Sequence, residues 1–427
     1  MGAKRDLLRE RSFAIYFTAS FVSNTGTFMQ SLGVPFVLFR LTGSNTWVGA
    51  GVLANWAASL LVTPAAGLIS DRLNRRVILM WSNAVQLVAA GGLWLLAQHN
   101  ALTPWRMMAP LVLGGLAAGF QYAPSQALLP LLVPHEHRVA GLRMFNVQFT
   151  LARAIGPALA GLVLHQWGVR ATFAVNALSF VAVLVALLFV RERETEQEKT
   201  EGQWHREFVD GARYLLRRAS MTRGILTAFM IALCGSGTVQ LAAGIAAEIF
   251  HVDSDQLGLL VAAFGVGASV ASIGLLVAGA RWRRSAAALF GAGCYAGGIF
   301  IVVATHSFAI GALGFAVMGA GHVCGGTSIS TSLHAQVEEQ YRGRLTSFYL
   351  IAVLGGSPLG ALLWGALGDA IGLRPALATA ATVLLAYLLF VVVRFDRLRG
   401  LDGNVDPLAP AVARPVTAAA ASAVSSH

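Results

Sequence analysis

The sequence predicts an all-α integral membrane protein with twelve transmembrane helices in two pseudo-symmetric bundles of six. Three observations predict this class: a scarcity of charge, a recurrence of long apolar runs, and a one-sided distribution of basic residues. Of the 427 residues, 56% are hydrophobic and 12% are charged, and the mean hydropathy is +0.66. A soluble domain averages about 25% charged residues, so this chain has too little polar surface to coat a water-soluble fold.

The apolar runs predict the secondary structure. Each run of roughly 20 residues is long enough to cross about 30 Å of hydrocarbon as a helix. Helices are expected because the backbone must satisfy its own hydrogen bonds in lipid, and the sequence lacks the alternating strands of about 10 residues that build membrane barrels. The predicted spans are residues 13–39, 46–69, 77–98, 105–131, 141–166, 170–190, 222–250, 255–279, 285–304, 308–333, 343–369 and 373–395.

The basic residues predict the orientation of these spans. With the N-terminus in the cytoplasm, 26 of the 31 lysine and arginine residues fall in cytoplasmic segments, four fall on the other side, and Arg153 falls inside a span. Cytoplasmic loops carry such an excess. Both termini are therefore predicted to be cytoplasmic, and the net charge of +11 is interpreted as an orientation signal rather than a nucleic-acid surface. No cleavable signal peptide is expected, because the first apolar run is too long for one.

The chain is predicted to divide into two membrane bundles, residues 1–190 and 222–396. Between them, residues 191–221 form a cytoplasmic linker whose second part predicts an amphipathic helix on the membrane surface. Residues 397–427, rich in Ala, Pro, Ser and Val, are expected to be a disordered cytoplasmic tail.

Short repeats support a duplicated six-helix unit. Gly26-Thr27 recurs as Gly237-Thr238, Gly67-Leu68 recurs as Gly274-Leu275, and Gly156-Pro157 recurs as Ser357-Pro358. Parallel repeats of this kind occur in transporters, where the substrate site lies between the repeats.

Two motifs connect the chain to a known family. GLISDRLNRR, residues 67–76, resembles the loop 2–3 signature of the major facilitator superfamily, and RAIGPALAG, residues 153–161, resembles the Gly-Pro motif of its antiporter branches. FVSNTGTFMQ, ALLPLLVP, NALSFVAVLVALL and RGRLTSFYLI are similar to the transmembrane secretion effector, or enterobactin exporter-like, branch. The resemblance covers residues 11 to 395. It implies a monomeric secondary transporter in the bacterial cytoplasmic membrane.

The resemblance implies a conformational switch in the loop between spans two and three. Its residues are Gly67, Asp71, Arg72, Arg75 and Arg76. In the family the matching aspartate caps the N-terminus of the eleventh helix, a contact that the helix dipole favours by about 0.3–2 kcal/mol.

We therefore predict that Asp71 latches the outward-open state by capping a helix that begins near Gly343. Arg75 or Arg76 is expected to brace this latch against Glu136. The alternative is a loop that only sets orientation.

The Gly-Pro motif predicts close helix packing. Its residues are Arg153, Gly156, Pro157 and Gly161. Small residues let helices approach closely in lipid, so spans five and eight are expected to pack tightly and prevent leakage, although ordinary packing would give the same pattern. A charge at membrane depth normally faces water or a partner. Arg153 could bind an anionic substrate group, or brace Glu136 or a backbone carbonyl.

Spans 1, 4, 7 and 10 line the cavity in the superfamily, and here they carry neutral hydrogen-bonding residues. These are Asn24, Thr27, Gln30, Gln121, Tyr122, Ser125, Gln126, Ser236, Thr238, Gln240, His322, Thr327, Ser328 and Thr331. They favour a bulky, amphiphilic solute that is uncharged or weakly anionic. Each residue could instead only join helices.

The energy source is predicted to be the proton gradient. The sequence lacks the ATP-binding motif G-x-x-x-x-G-K-[ST], and Glu248 and Asp369 are expected near periplasmic ends. His322, near the centre of span ten, is the proton-coupling candidate because histidine titrates near neutral pH. It could also serve only as a hydrogen-bonding group. No cofactor or metal is expected.

The predicted function is export of a small amphiphilic molecule, a siderophore or a drug, by alternating access. An importer or a lysophospholipid-moving relative is the alternative on the same fold. A membrane-embedded enzyme is disfavoured because the spans lack clustered catalytic groups. A receptor or scaffold is disfavoured by the nearly intact loop signature.

Overall fold

A computed structural model describes residues 10–72, 74–190, 204–278, 282–394 and 401–402. The side chains of residues 64–65, 67–72, 122, 130, 154, 204–208, 278 and 340 lie outside this description. The spanning helices are α1 Arg11–Thr42, α2 Asn45–Arg72, α3 Arg75–Gln98, α4 Pro104–Leu128, α5 and α6 within Arg138–Phe189, α7 219–249, α8 Ser254–Ala278, α9 Arg284–Ala304, α10 Phe308–Gln336, α11 Arg342–Ile371 and α12 Leu373–Arg394.

Gly168 divides the long helical segment Arg138–Phe189 into α5 (138–167) and α6 (169–189). Its φ of 73° and ψ of −174° are not helical, and this conformation is readily reached only by glycine. The division falls between the predicted spans 141–166 and 170–190, so the structure has twelve spanning helices.

Nine helical segments among the described residues are long and apolar enough to cross a membrane. One of them, His135–Phe189, has 55 residues and holds both α5 and α6. The other two helices, α1 and α4, have 32 and 25 residues and carry polar side chains such as Gln30 and Gln121. Polar residues in a spanning helix face the bundle interior or a cavity rather than lipid.

Local sequence signals fix several helix ends. Gly43 adopts the left-handed conformation, with φ 63°, and its N–H donates to the Phe39 carbonyl at the end of α1. Asn74 accepts hydrogen bonds from the backbone N–H groups of Arg76 and Val77 and so caps α3. Thr103 caps α4, and Pro104 occupies the first helical position, where its missing N–H costs nothing.

The two halves pack in the same order, which confirms the predicted pseudo-symmetry. In the first half α1 packs on α5 and α6, α2 on α4, and α3 on α4 and α6. In the second half α7 packs on α11, α8 on α10, and α9 on α10 and α12. The halves meet through α2 with α11, α5 with α8, and α1 with α7. These pairs are themselves related by the exchange of one half for the other.

The helix α7 is irregular along its length. Two π-helical segments, Ile231–Ser236 and Ile245–Ile249, interrupt its α-helical turns. Single π-helical turns inside α-helices are frequent at functional sites. In this chain they contain Ser236 and Glu248, whose contacts are described below.

The linker contains the predicted amphipathic helix, Trp204–Arg217, here called the surface helix. One face packs on the start of α11, where a Cβ at Gly211 would lie 3.0 Å from Arg344 Cβ. Tyr214 stacks on Tyr341 with ring centroids 4.1 Å apart, and burial raises the pKa of Tyr214. One face of the surface helix therefore contacts the second half, and its expected location at the membrane surface stays a prediction.

Part of the predicted disordered tail is packed against the second half. Leu401 is 1% exposed and contacts Gly224. Asp402 accepts hydrogen bonds from the backbone N–H of Ser285 at 2.9 Å and from its hydroxyl at 2.6 Å, so it caps the N-terminus of α9. The prediction of disorder is wrong for these two residues, because an apolar side chain followed by a capping carboxylate gains from docking. The remainder of 397–427 lies outside the described residues.

Candidate functional site

A polar cluster lies between the two halves at membrane depth. Its members are Arg153 of α5, Ser236 of α7, Tyr295 of α9 and His322 of α10. Arg153 Nη2 lies 3.5 Å from His322 Nε2, and the Tyr295 hydroxyl lies 3.0 Å from both His322 Nδ1 and Ser236 Oγ. The Arg153–His322 contact joins the first half to the second.

The hydrogen-bond directions in this cluster follow from its chemistry. A guanidinium N–H only donates, so His322 Nε2 is the acceptor and the ring proton lies on Nδ1. Nδ1–H then donates to the Tyr295 hydroxyl, which donates on to Ser236. This assignment makes His322 a neutral imidazole in this conformation, with its one free lone pair directed at a cation.

Aromatic rings border the cluster. Phe264 of α8 lies with its ring centroid 5.7 Å from that of His322 and 6.5 Å from that of Tyr295. On the first half, Phe149 of α5, one helical turn before Arg153, makes an edge-to-face pair with Phe28 of α1, with ring centroids 5.4 Å apart. Small-molecule sites are lined mostly by apolar side chains with a few polar groups among them, and this cluster has that composition.

Arg153 does not brace Glu136, which corrects one sequence-based expectation. Its described polar partner is His322, and its side chain is exposed although the residue lies within a span. Glu136 precedes α5 in the turn His135–His137. Fifteen residues of helix separate Arg153 from the start of α5, a distance of about 22 Å, which puts Glu136 out of reach. Arg153 therefore faces the space between the halves.

The predicted cavity residues of α1 and α4 take part in polar networks within the first half. Gln30 accepts a hydrogen bond from Asn176 Nδ2 at 2.7 Å. Gln121 accepts from Gln86 and donates to Asn83 Oδ1 at 3.5 Å. Asn24 and Gln126 are half-buried, and the side chain of Tyr122 lies outside the described part of the chain.

The predicted cavity residues of α7 and α10 differ among themselves. Thr238 is 1% exposed and its hydroxyl donates to the Cys234 carbonyl at 2.7 Å, so it joins helix turns and does not face a cavity. This expectation is corrected because the π-helical segment turns Ser236 toward the cluster instead. Gln240 is half-buried and Thr327 is exposed.

The sequence reasoning missed Asn83, Gln86, Asn176 and Tyr295. All four lie on α3, α6 or α9, which were not expected to line the cavity. Their signal was available, because isolated polar residues in apolar spans normally have a buried partner.

The loop between α2 and α3 is attached to its own half. Arg75 Nη1 donates to the Ala127 carbonyl at 3.4 Å, and Arg76 Nη2 donates to the Leu188 carbonyl at 3.0 Å. In this conformation both arginines bind carbonyls at the ends of α4 and α6, and the brace against Glu136, which belongs to the outward-open latch, stays a prediction. The side chains of Gly67, Asp71 and Arg72 lie outside the described residues, so the Asp71 latch stays a prediction.

The Gly-Pro motif lies where α5 meets two neighbours. A Cβ at Gly156 would lie 2.5 Å from Phe28 Cβ of α1. A Cβ at Gly161 would lie 2.7 Å from the Cα of Gly258 in α8, and Gly258 in turn faces the Pro157 carbonyl. The backbones of α5 and α8 are thus in direct contact across the interface of the halves. A role in preventing leakage stays a prediction.

Two six-helix halves around a polar cluster define the chain as a membrane transporter of the major facilitator fold. The family model described as transmembrane secretion effector matches residues 6–422. The chain belongs to this family of the major facilitator superfamily. Family and relatives are membrane transporters and not enzymes, as predicted.

Curated relatives are similar over most of the chain. Macrolide efflux protein A of Streptococcus pyogenes is 21% identical over 378 residues, which covers 87% of this chain and 92% of the relative. The enterobactin exporter EntS of Escherichia coli is 26% identical over 410 residues, covering 91% and 93%.

Solved structures support the fold alone. The crystal structure of the nucleoside transporter NupG superposes with a TM-score of 0.75 at 12% identity, covering 90% of this chain and 99% of NupG. A bacterial homologue of the human lysosomal transporter Spinster, in an inward-facing and unoccupied conformation, gives a TM-score of 0.68 at 14% identity, covering 92% and 97%.

Proposed function

We propose that the chain exports a small amphiphilic solute, a siderophore or a drug, by alternating access driven by the proton gradient. The observation that carries this proposal is the Arg153–His322 contact, which joins the two halves at the polar cluster. Export, rather than uptake, is favoured by the Gly-Pro motif of α5 and by the relatives named as efflux proteins.

The proposed orientation places both termini in the cytoplasm of a bacterium, with the chain a monomer in the cytoplasmic membrane. Its support is the basic excess in segments on one side of the spans. In this orientation Gly161, Gly258 and the end of α11 lie in the extracytoplasmic half of the membrane. Since the halves touch there, this end is closed, and we propose that the conformation is the inward-facing state that loads solute from the cytoplasm.

We propose the division into bundles 1–190 and 222–396 as the two rocking bodies. The described part of the linker, residues 204–221, is proposed to move with the second of them, because Arg218 Nη2 lies 2.7 Å from Glu338 Oε1. The surface helix also rests on α11.

Proton coupling is proposed to act through the Arg153–His322 contact. A second proton on His322 would place two cations 3.5 Å apart. At 4 Å such a pair is unfavourable by about 1 kcal/mol in water and about 4 kcal/mol at an effective dielectric constant of 20. Proton binding therefore separates the two groups, and a solute acceptor that takes the Arg153 N–H groups displaces the same contact. The proton and the solute therefore compete with the same contact, so that binding of one can be coupled to release of the other.

The solute class follows from the groups around the cluster. Arg153 and Ser236 offer hydrogen bonds, and Phe264 offers an apolar face. A neutral or weakly anionic amphiphile can accept the hydrogen bonds through its oxygen atoms and place its apolar part against Phe264.

The proposal is tested in inside-out membrane vesicles that hold the chain. With an acidic lumen, we expect a labelled macrolide or a catecholate siderophore to accumulate, and a protonophore to abolish the accumulation. Vesicles without the chain are the control. Failure to accumulate either probe, or accumulation that survives the protonophore, contradicts the proposed export or its coupling respectively.

The Asp71 latch gives a separate prediction. Asp71→Asn keeps the side-chain shape but removes the charge that the N-terminus of α11 favours by about 0.3–2 kcal/mol. We expect up to about a 30-fold loss of transport in inside-out vesicles. The matched control is Glu339→Gln, which neutralises an exposed carboxylate beside α11. Unchanged transport in Asp71→Asn removes the latch.

A further inference from the structure

A carboxylate at the end of α11 caps a helix of the other half. Asp369 accepts hydrogen bonds from the backbone N–H groups of Asn45 at 2.8 Å and Thr46 at 3.0 Å. It also accepts from the hydroxyls of Ser44 at 2.5 Å and Thr46 at 2.6 Å. These donors form the N-terminus of α2, so four hydrogen bonds to one side chain hold α11 against α2.

A second carboxylate, Glu248 of α7, contacts the same N-terminal end of α2. Asn45 Nδ2 donates to Glu248 Oε1 at 2.6 Å, and Asn45 is fully buried. The approach depends on glycines: a Cβ at Gly244 would lie 1.8 Å from Asn45 Oδ1, and a Cβ at Gly365 would lie 2.4 Å from the Asn45 carbonyl. Asn45 is thus enclosed by α7 and α11 of the second half.

The arrangement makes the N-terminus of α2 dependent on the second half. The first N–H groups of any α-helix have no partner within the helix, and the helix dipole favours a carboxylate there. In α2 the carboxylate is supplied by Asp369 of the other half, while Ser44, just before the helix, accepts only from the Trp47 N–H at 3.4 Å. When the halves separate at this end, these N–H groups and both hydroxyls lose their acceptor together.

The helices α2 and α11 run in opposite directions across the interface. Asp369 lies near the C-terminal end of α11, Ile371, and meets the N-terminal end of α2. Asp71 lies at the C-terminal end of α2, and its predicted target is the N-terminal end of α11. One helix pair would therefore carry a carboxylate cap at each end, and only one cap could be made at a time by halves that rock.

We infer that Asp369, with Glu248, is a positioning residue that locks the extracytoplasmic gate in the inward-facing state, opposite in effect to Asp71. The inference rests on the proposed function for its orientation and for the existence of two states. It does not depend on the identity of the solute. Asp369 acts by fixing α2 against α11 and does not touch the proposed solute site.

The inference is tested by distances between the halves in the absence of solute. Spin labels at Asn100 and Ser307, both exposed at the gate end, report opening there, and labels at His135 and Glu339 report the other end. The full chain is used, reconstituted in lipid, with its three native cysteines replaced by alanine. The variants are Asp369→Asn, which keeps the shape, and Ser44→Ala with Thr46→Val, which removes two donors.

We expect Asp369→Asn to raise the ratio of gate-open to gate-closed molecules at least ten-fold, which corresponds to about 1.4 kcal/mol. The double variant should shift it in the same direction, and Asp369→Glu should restore part of the closed population. Asp253→Asn is the matched control, because it neutralises an exposed carboxylate at the same end. It should leave both distances unchanged.

Unchanged distances in both Asp369→Asn and the double variant overturn the lock, whatever the vesicle transport results are. An equal shift in Asp253→Asn also overturns it, because the effect would then be one of surface charge. A shift confined to the lock variants in a chain that moves no probe solute supports the lock and counts against the proposed solutes alone.

Discussion

Replacing Gly161 with valine should abolish active export while leaving the protein folded in the membrane. A single Cβ at this position already lies 2.7 Å from the Cα of Gly258 and 3.1 Å from the Ser254 carbonyl. These are backbone atoms, so α5 and α8 must move apart. Overpacking costs about 1–3 kcal/mol, which reduces the closed population roughly 5- to 150-fold, and valine should reach the upper end.

The measurement is accumulation of the probe solute in inside-out vesicles together with the rate of passive leak. We expect Gly161→Val to lower accumulation about 100-fold and to raise the leak, with Gly161→Ala intermediate. Gly91→Ala is the control, since a Cβ there meets nothing within 4 Å. A Gly161→Val variant that still accumulates solute without leak would show that this contact does not close the pathway.

The positions of the helices could be predicted because their causes are local. Gly43 and Asn74 end and begin helices through contacts within a few residues, and Gly168 separates two spans because its backbone leaves the helical region. The docking of residues 401–402 and of the surface helix was not predicted, because each packs on a surface formed by segments distant in the sequence.

Individual residues of the site could be predicted, but not which of them are in contact. Arg153 and His322 both stood out as polar residues in apolar spans, yet 169 positions separate them and no periodicity shows that they meet. Asp369 illustrates the limit more strongly. At the end of a span a carboxylate is inexpensive, so the sequence gives no reason to expect that it caps α2 across the interface.

The two contacts that close the gate end differ in kind and in expected role. The contact between Gly161 and Gly258 joins two backbones directly. It has no space for added atoms, and it depends little on orientation. Asp369 with α2 is a charged, directional contact that forms only at close approach. We expect the first to permit closure and the second to stabilise it. The Arg153–His322 contact lies deeper between the halves, where a ligand can influence it.

Replacing His322 with glutamine should remove the pH dependence of export. The cluster assigns the free lone pair of His322 Nε2 to Arg153, so a proton there and the contact exclude each other. Glutamine retains a hydrogen-bonding group but cannot take up a proton. In the native chain, acidifying the vesicle lumen should stimulate solute uptake, and in His322→Gln this stimulation should fall at least about ten-fold.

The matched control is His165→Gln on α5, an exposed histidine outside the cluster, which should keep the native pH profile. Arg153→Lys keeps a positive charge but loses the planar fork of donors. It should therefore retain pH dependence while weakening the apparent affinity for the solute, which separates the two roles within one contact. If His322→Gln and His322→Ala both show the native pH profile, the proton is handled elsewhere, and His322 is only a hydrogen-bonding residue between Tyr295 and Arg153.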